Sequence, residues 1–507
     1  MSGAPLLLTG DGLTPADVQR VARNGAPVRL APEAAARLAA ARAVVERHLA
    51  EGKPVYGLTT GLGPRATMQL PQDVLAEFSR LTVLGRAQGV GPRLPEEVVR
   101  AAMLVRANGM AKGGAGVQPP VPEMLVAMLN AGVHPVVPSI ASVGASDLCL
   151  LAHVALAVIG EGEAVHRGET LPADRALARA GLRPLVLGPK DGLALCSANA
   201  VSAGQGALAL ADAVDLSALL DLAAALSMEG FRANLSPIDP RVAAARPAPG
   251  QEAAAAHLRT LLVGGALTEP GAARRVQDPI SLRCASQVHG SLRAALSFAE
   301  TALAAELNGA GDNPLVLVED DTILSTGNFH TPALALAFDA VALAVSQVAN
   351  LAVNRVARLL SERLSDLPAW LTPRGPARSG FGPLTKTAEA LAAEIRQLAN
   401  PACVDPRPGA EGVEDDSTNA PLAVRKLAEA LTHLRLLVAL ELVVAAQAVD
   451  LAGVPRLGRG TAVAHRVVRD LVPPLDEDRP LGADIERLAA EALANGRLLA
   501  AVRAETG

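Results

Sequence analysis

The residues best suited to chemistry lie in polar loops that interrupt an otherwise aliphatic chain. Tyr56 is the only tyrosine, and it lies in the Gly- and Pro-rich segment 53–66, KPVYGLTTGLGPRA. The glycines indicate that backbone or a ligand approaches this loop closely, because no side chain fills the space beside them. A lone loop tyrosine is more often a packing residue with a satisfied hydroxyl, so both interpretations stay open from the loop alone.

A second polar loop, VQDPISLRC at 276–284, carries Arg283 beside the expected start of an apolar helix. An arginine in this setting is more often part of a structural ion pair than a substrate ligand. A ligand role becomes the better interpretation only if other polar loops converge on the same place.

The most informative stretch is VGASDLCLLAHVALAVIGEGEA at 143–164. A structural interpretation is available, in which Ser146 caps a helix, Asp147 favours its positive end, and Gly160 and Gly162 end it. Taken alone, the stretch is as consistent with this interpretation as with a functional one.

Nine motifs occur together along the chain in one order: VYGLTTGLG, RANGMAKGGAGVQPP, LNAGVHPVVP, SVGASDL, KDGLAL, DPRVAAARPAPGQ, VQDPISLRC, GDNPLV and GNFH. One such motif would be weak, but nine in register cover almost the whole chain. By this resemblance the chain is identified as a member of the histidine and aromatic amino acid ammonia-lyase family, closest in pattern to histidine ammonia-lyase.

The resemblance implies a mainly α fold, a long-helix bundle with a loop-rich N-terminal part, and homotetramers that build each active site from three subunits. The family also makes an electrophile from its own backbone by cyclising Ala-Ser-Gly into methylidene-imidazolone (MIO). Ala145, Ser146 and Asp147 occupy the corresponding stretch here.

The resemblance further assigns roles to individual residues. Tyr56 corresponds to the tyrosinate base, whose pKa the family lowers with helix ends and nearby charge, and Arg283 to the clamp on the substrate carboxylate. Gln277, Phe329 and Glu414 fall where the family lines its pocket. The implied reaction is a carbon–nitrogen lyase reaction on histidine or a related aromatic amino acid, which gives a conjugated acrylate such as urocanate.

The pattern breaks at several active-site positions. Asp147 stands where the family has glycine, in a loop one residue short, and its Cβ and charge oppose the compressed geometry of cyclisation. Ser197 replaces an asparagine, Ile280 replaces a tyrosine, and Gly85-Arg86 replaces a Ser-His pair that contacts the substrate ring. Arg86 is therefore a further candidate substrate ligand, and Ser197 another.

Three hypotheses follow. In the first, the chain is a lyase that forms MIO despite Asp147. In the second, it is an MIO-independent lyase whose substrate has a better leaving group, such as the histidine betaine on which the relative ergothionase acts. In the third, it is a non-catalytic tetrameric scaffold. Retention of Tyr56 and Arg283 favours the two enzymes. The fumarase and argininosuccinate lyase superfamily is a rival with helical bundles, but its signature loop matches 379–387 poorly.

Composition predicts the scaffold. The chain has 507 residues, of which 50% are apolar and only 2% aromatic, so an aliphatic core of Ala- and Leu-rich helices is expected. Helical patterns run over 202–230, 284–308, 331–364, 385–400 and 417–452. We expect an N-terminal loop-rich domain at 1–200, a central helical bundle at 201–470 and a C-terminal helical segment at 471–507.

Composition also restricts the partners. A net charge of -5 gives no reason to expect nucleic acid, and the scattered histidines lack metal-ligand spacing. No nucleotide-binding glycine loop is present. The most apolar stretch, 434–454, carries Arg435, Glu441 and Asp450, which suits a buried bundle better than a membrane. Without a visible signal peptide, we expect a cytoplasmic enzyme with a small amino acid substrate and no metal.

Overall fold

The computed structural model describes residues 4–404 and 409–507. Helices dominate these residues, which confirms the mainly α fold. The helices are α1 Pro15–Ala22, α2 Pro32–Ala50, α3 Leu75–Arg86, α4 Glu96–Ala111, α5 Pro120–Ala131, α6 Leu148–Val158, α7 Ala173–Arg179, α8 Asp191–Cys196, α9 Ala200–Phe231, α10 Pro240–Ala245, α11 Gln251–Leu262, α12 Ile280–Arg283, α13 Ala285–Asn308, α14 Pro332–Leu359, α15 Glu362–Ser365, α16 Leu384–Leu398, α17 Ala420–Ala452, α18 Arg459–Leu471, α19 Gly482–Leu488 and α20 Arg497–Thr506.

Short strands supplement the helices. They are β1 Leu6–Leu8, β2 Val28–Leu30, β3 Val90–Arg93, β4 Val133–Pro135, β5 Pro138–Ile140, β6 Glu163–His166, β7 Glu169–Pro172, β8 Leu315–Leu317 and β9 Thr322–Leu324. β1 pairs with β2 in parallel, while β3–β5, β4–β6–β7 and β8–β9 are antiparallel. β4 and β5 form the extended connection that the prolines of 131–146 predict.

The long helices follow the predicted runs closely. α9, α13, α14, α16 and α17 begin and end within a few residues of the five Ala/Leu/Val-rich patterns, except that α14 ends at Leu359 and the short α15 follows. α9 and α17 have 32 and 33 residues, so each is about 50 Å long at 1.5 Å per residue. Helices of this length carry polar loops at their ends, where the site residues lie.

The chain forms two compact units. Unit 1 comprises Met1–Ala211, Ala299–Phe338 and Pro401–Arg425, and unit 2 comprises Asp212–Phe298, Asp339–Asn400 and Lys426–Gly507. Each unit is assembled from separate stretches of chain. The predicted division uses three consecutive segments, 1–200, 201–470 and 471–507. It stays a prediction.

The cores are aliphatic, as the composition predicts. In unit 1, every residue of α4 from Val98 to Ala111 is buried, including Arg100 and Arg106. In unit 2, α17 buries an unbroken apolar run over 442–446. One described helix, Pro332–Leu359, is long and apolar enough to span a membrane, and 56% of its most apolar window is buried inside the protein. A core helix of a water-soluble protein meets the same criteria.

Candidate active site

The Ala-Ser-Asp loop is a tight turn in unit 1, directly before α6. Gly144 and Ser146 bridge each other, and both have left-handed backbone, with φ of 92° and 60°. The hydroxyl of Ser142 clamps the turn, since it accepts from the Gly144 N–H at 3.1 Å and donates to the Ser146 carbonyl at 2.8 Å. Position 144 requires glycine because a Cβ there would lie 2.0 Å from Oγ1 of Thr418.

Asp147 is fully buried behind this turn, and its side chain accepts hydrogen bonds from a neighbouring helix. Its carboxylate accepts from the N–H of Ser202 at 2.8 Å and from the Ser202 hydroxyl at 2.9 Å, in the first turn of α9. Burial raises the pKa of Asp147 to about 6, although these hydrogen bonds oppose the shift. The structural interpretation of the sequence was therefore wrong in its details: neither Ser146 nor the Asp147 side chain caps α6, where no side-chain cap is present.

Tyr56 lies in the loop after α2, and its hydroxyl accepts a hydrogen bond from the Gly63 N–H at 3.1 Å. The glycines of this loop permit close packing, as predicted. A Cβ at Gly57 would lie 2.5 Å from a methyl carbon of Leu193 and 2.7 Å from one of Leu62. The backbone of the loop at Gly57 is thus packed against two aliphatic side chains.

A cavity of about 220 Å³ collects most of the residues that the sequence singles out. Its walls contain Tyr56, Arg86, Ala145, Ser146, Ser197, Phe329 and Glu414, together with Leu62, Gly63, Pro64, Leu148, Leu193, Asn313 and Ala410. Asp147 stands behind the wall and does not line the cavity. Segments far apart in the sequence therefore converge, which is the condition for a functional interpretation.

Two opposite charges face this cavity without pairing to other described residues. Arg86 ends α3 and donates only a long hydrogen bond, 3.4 Å, to the carbonyl of Thr82. Arg86 and Glu414 both act on Cys149 at the start of α6: burial raises the pKa of its thiol, Arg86 lowers it and Glu414 raises it. A guanidinium and a carboxylate that form no ion pair with the described residues can bind polar groups of a ligand.

Asn313 is a candidate ligand that the sequence argument missed. Its Oδ1 accepts from the N–H of Thr326 at 3.0 Å and the hydroxyl of Ser325 at 3.3 Å. This fixes the amide, so that its nitrogen is the group left to donate into the cavity. The motif GDNPLV contains Asn313 and was the available signal, but no role was derived from it.

One hydrogen bond joins two walls of the cavity. Ser197 lies directly after α8, and Phe329 precedes α14. Asn199 donates from Nδ2 to the Phe329 carbonyl at 2.9 Å. The aromatic ring is thereby held relative to the α8–α9 connection.

A buried ion network fixes the same walls from behind. Arg106 donates to the carbonyl of Ala194, in α8, and pairs with Asp312 at 2.6 Å. Lys190 donates to the Pro314 carbonyl at 3.0 Å, and burial lowers the pKa of its ammonium to about 8. Within residues 4–404 and 409–507, no group of three or more His, Cys, Asp or Glu side chains could hold a metal ion.

Gln277 and Arg283 are not among the residues that line this cavity, and both belong to unit 2. The segment that carries them is exposed: Val276 is 94% and Ile280 is 61% accessible. Nε of Arg283 is buried without a hydrogen-bond partner. Their role as substrate ligands stays a prediction.

Comparison with known proteins now adds to this geometry. The sequence profile described as aromatic amino acid lyase matches residues 13–470. A histidine ammonia-lyase from Stigmatella aurantiaca is 43% identical over 508 residues, covering 100% of this chain and 99% of that protein. This chain belongs to the aromatic amino acid lyase family.

Solved structures of related lyases agree. An ergothioneine-degrading ergothionase from Treponema denticola superposes with a TM-score of 0.94 at 34% identity, covering 98% of this chain and 100% of that one. A histidine ammonia-lyase from Trypanosoma cruzi superposes with a TM-score of 0.92 at 32% identity, covering 99% and 96%. The expected long-helix bundle of the ammonia-lyase type is therefore confirmed.

The MIO group that the family implies does not fit this aromatic amino acid lyase well. Cyclisation needs the backbone nitrogen of the third residue to attack the carbonyl carbon of Ala145. Here that nitrogen, on Asp147, donates to the carbonyl of Ala198 at 2.8 Å. The side chain that glycine would lack is tied to Ser202.

Proposed function

We propose that this lyase removes an amine and the β-proton from histidine or a close relative, giving urocanate or a similar acrylate. The observation that carries the proposal is the convergence of the only tyrosine with Arg86 and Glu414 on one cavity. A β-proton is barely acidic, so the reaction needs a positioned base, and an imidazole needs polar partners for its nitrogens.

Tyr56 is the base in this proposal. Its hydroxyl oxygen accepts a hydrogen bond from the Gly63 N–H, which fixes the position of that oxygen in the cavity wall. The β-proton passes to the Tyr56 oxygen, the C–H electron pair forms the new double bond, and the Cα–N bond breaks with its pair on nitrogen. Leu62 and Leu193 supply apolar surface to the same cavity.

The substrate ring and carboxylate need separate partners. Glu414 accepts from an imidazole N–H, Phe329 packs against the ring, and Asn313 donates to an acceptor group of the substrate. Arg86 donates to a substituent on the ring. The guanidinium fork is suited to anionic or strongly accepting groups.

We further propose that a second copy of the chain completes each site. Gln277 and Arg283 would enter from a neighbouring subunit of a cytoplasmic homotetramer, with Arg283 on the substrate carboxylate. The exposure of Val276 and Ile280 and the unpartnered Nε of Arg283 support this arrangement. The overall charge of -5 gives no support for a nucleic-acid partner.

The deciding experiment is an ultraviolet assay of the purified protein against histidine, phenylalanine, tyrosine and ergothioneine. Each elimination creates a conjugated acrylate, so one instrument follows all four. We expect turnover of histidine or ergothioneine, which carry an imidazole ring, in preference to phenylalanine and tyrosine. Absence of turnover on all four would favour the non-catalytic scaffold.

A further inference from the structure

Asp147 is held by hydrogen bonds at both its backbone and its side chain. Four hydrogen bonds hold it: its N–H donates to Ala198 at 2.8 Å, its carbonyl accepts from the Leu151 N–H at 2.8 Å, and its carboxylate accepts twice from Ser202. The side chain is 0% exposed. These bonds join the end of the Ala-Ser-Asp turn to the starts of both α6 and α9.

Cyclisation would break this arrangement. The Asp147 nitrogen would have to leave the Ala198 carbonyl and move toward Ala145, and its Cα would move with it. A buried carboxylate would then lose its donors, and the Ser202 N–H and hydroxyl would be left unpaired. Leaving a buried polar group unpaired is destabilising, because its bonds to water are lost without replacement. The first turn of α9 would lose its acceptor as well.

From this geometry we infer that Ala145–Ser146–Asp147 stays an ordinary peptide and that the substrate is an α-trialkylammonium betaine of the histidine class. The inference rests on the proposed lyase function and specifies its leaving group. Without a covalent electrophile, the nitrogen must leave directly from its cationic form. An α-ammonium group loses an N–H proton to a strong base more readily than carbon does, and the neutral amine then cannot leave. A trialkylammonium nitrogen has no proton to lose.

The elimination balances without a co-reactant. The Tyr56 phenolate takes the β-proton, the C–H pair becomes the Cα=Cβ bond, and the Cα–N pair leaves with neutral trimethylamine. Tyr56 then returns its proton to solvent. Ser197 lines the cavity, and its side chain is shorter than the asparagine that the family resemblance places there.

Two measurements on the protein with its native sequence test the inference. The first is the intact mass, with the tryptic peptide 113–167 that contains Ser146. We expect the full mass of the sequence. A mass short by two waters on that peptide would overturn the unmodified loop while leaving the lyase function intact.

The second measurement compares L-histidine with its Nα-trimethyl betaine in the same preparation. Both would give urocanate, so only the leaving group differs. We expect kcat/KM for the betaine to be higher by at least about tenfold, equivalent to about 1.4 kcal/mol. Equal or faster turnover of histidine would overturn the betaine assignment. No acrylate from any substrate would instead count against the proposed lyase function.

Discussion

Tyr56 has the only phenol in the chain. Replacing it with phenylalanine removes the proposed base and keeps the aromatic ring. Tyr56→Phe should lower turnover by roughly a hundredfold or more, which is the usual scale for losing a general base. Folding should survive, because among the described residues the hydroxyl has one hydrogen-bond partner, the N–H of Gly63. Steady-state kinetics measure the turnover of this variant, and thermal unfolding of the same sample measures its folding. Near-normal turnover in a folded variant would reassign Tyr56 to packing.

Arg86 is the residue expected to sense a substituent on the imidazole ring. Ergothioneine and Nα-trimethylhistidine differ only in the ring sulfur, which is a strong acceptor. Arg86→His should lower kcat/KM for ergothioneine relative to the other betaine by about 10- to 100-fold, since a charged hydrogen bond contributes about 1.5–3 kcal/mol.

Arg80 provides the matched control for this variant. It lies on the same helix, α3, and forms an exposed ion pair with Glu161 at 2.6 Å. Exposed pairs contribute little, so Arg80→His should leave the substrate ratio unchanged. If Arg86→His also leaves the substrate ratio unchanged, Arg86 does not contribute to recognition of the ring substituent.

At the scale of elements, a buried carboxylate joins three helices of unit 2. Asp221 of α9 accepts from His257 of α11 at 2.7 Å and from His289 of α13 at 2.6 Å, and it pairs with Arg293 at 2.5 Å. Asp221→Ala should lower the free energy of unfolding by about 3–5 kcal/mol, because it leaves a cation without its partner. Asp215→Ala is the control on the same helix, and its exposed pair predicts a loss within about 1 kcal/mol.

The same cluster predicts a pH dependence of stability. Burial opposes ionisation of Asp221, but the hydrogen bonds from His257 and His289 and the charge of Arg293 outweigh it and hold its pKa well below the usual value. A depressed folded pKa stabilises the protein above the unfolded pKa, near 4, and the contribution is lost as pH falls below it. Denaturant unfolding should therefore show the difference between the native protein and Asp221→Ala shrinking below about pH 4. A difference independent of pH would contradict this assignment.

At the scale of the whole molecule, sites shared between copies predict complementation. Tyr56→Phe and Arg283→Ala should each be nearly inactive. If the two residues of one site come from different chains, mixed oligomers will contain some sites with both native residues. Co-expression should therefore restore measurable turnover. Failure to restore it, with both variants in the same oligomer, would show that one chain supplies both residues.

Oligomeric state is the simpler companion test. We expect light scattering at micromolar concentration to give a homotetramer, because Val276 and Ile280 of the ligand-bearing segment are exposed in the single chain. The exposed Leu336 and Leu343 of α14 supply further apolar surface. A monodisperse monomer would contradict both the tetramer and the shared site.

The sequence alone determined the scaffold and much of the cavity wall. Helix formation depends on local propensity and apolar periodicity, so the extents of α9, α13 and α17 could be predicted to within a few residues. The family resemblance assigned Tyr56 and Glu414 to one site, and both line the cavity.

Only the tertiary structure decided what Asp147 does. Its neighbours in sequence suggested a cap for the following helix, but its partner is Ser202, 55 residues away, at the start of α9. For Asn313 the motif GDNPLV marked the position, but the orientation of its amide follows only from the hydrogen bond that the Thr326 N–H donates to it. Hydrogen bonds between distant segments depend on how helices pack, and packing is a property of the folded chain that no local pattern encodes.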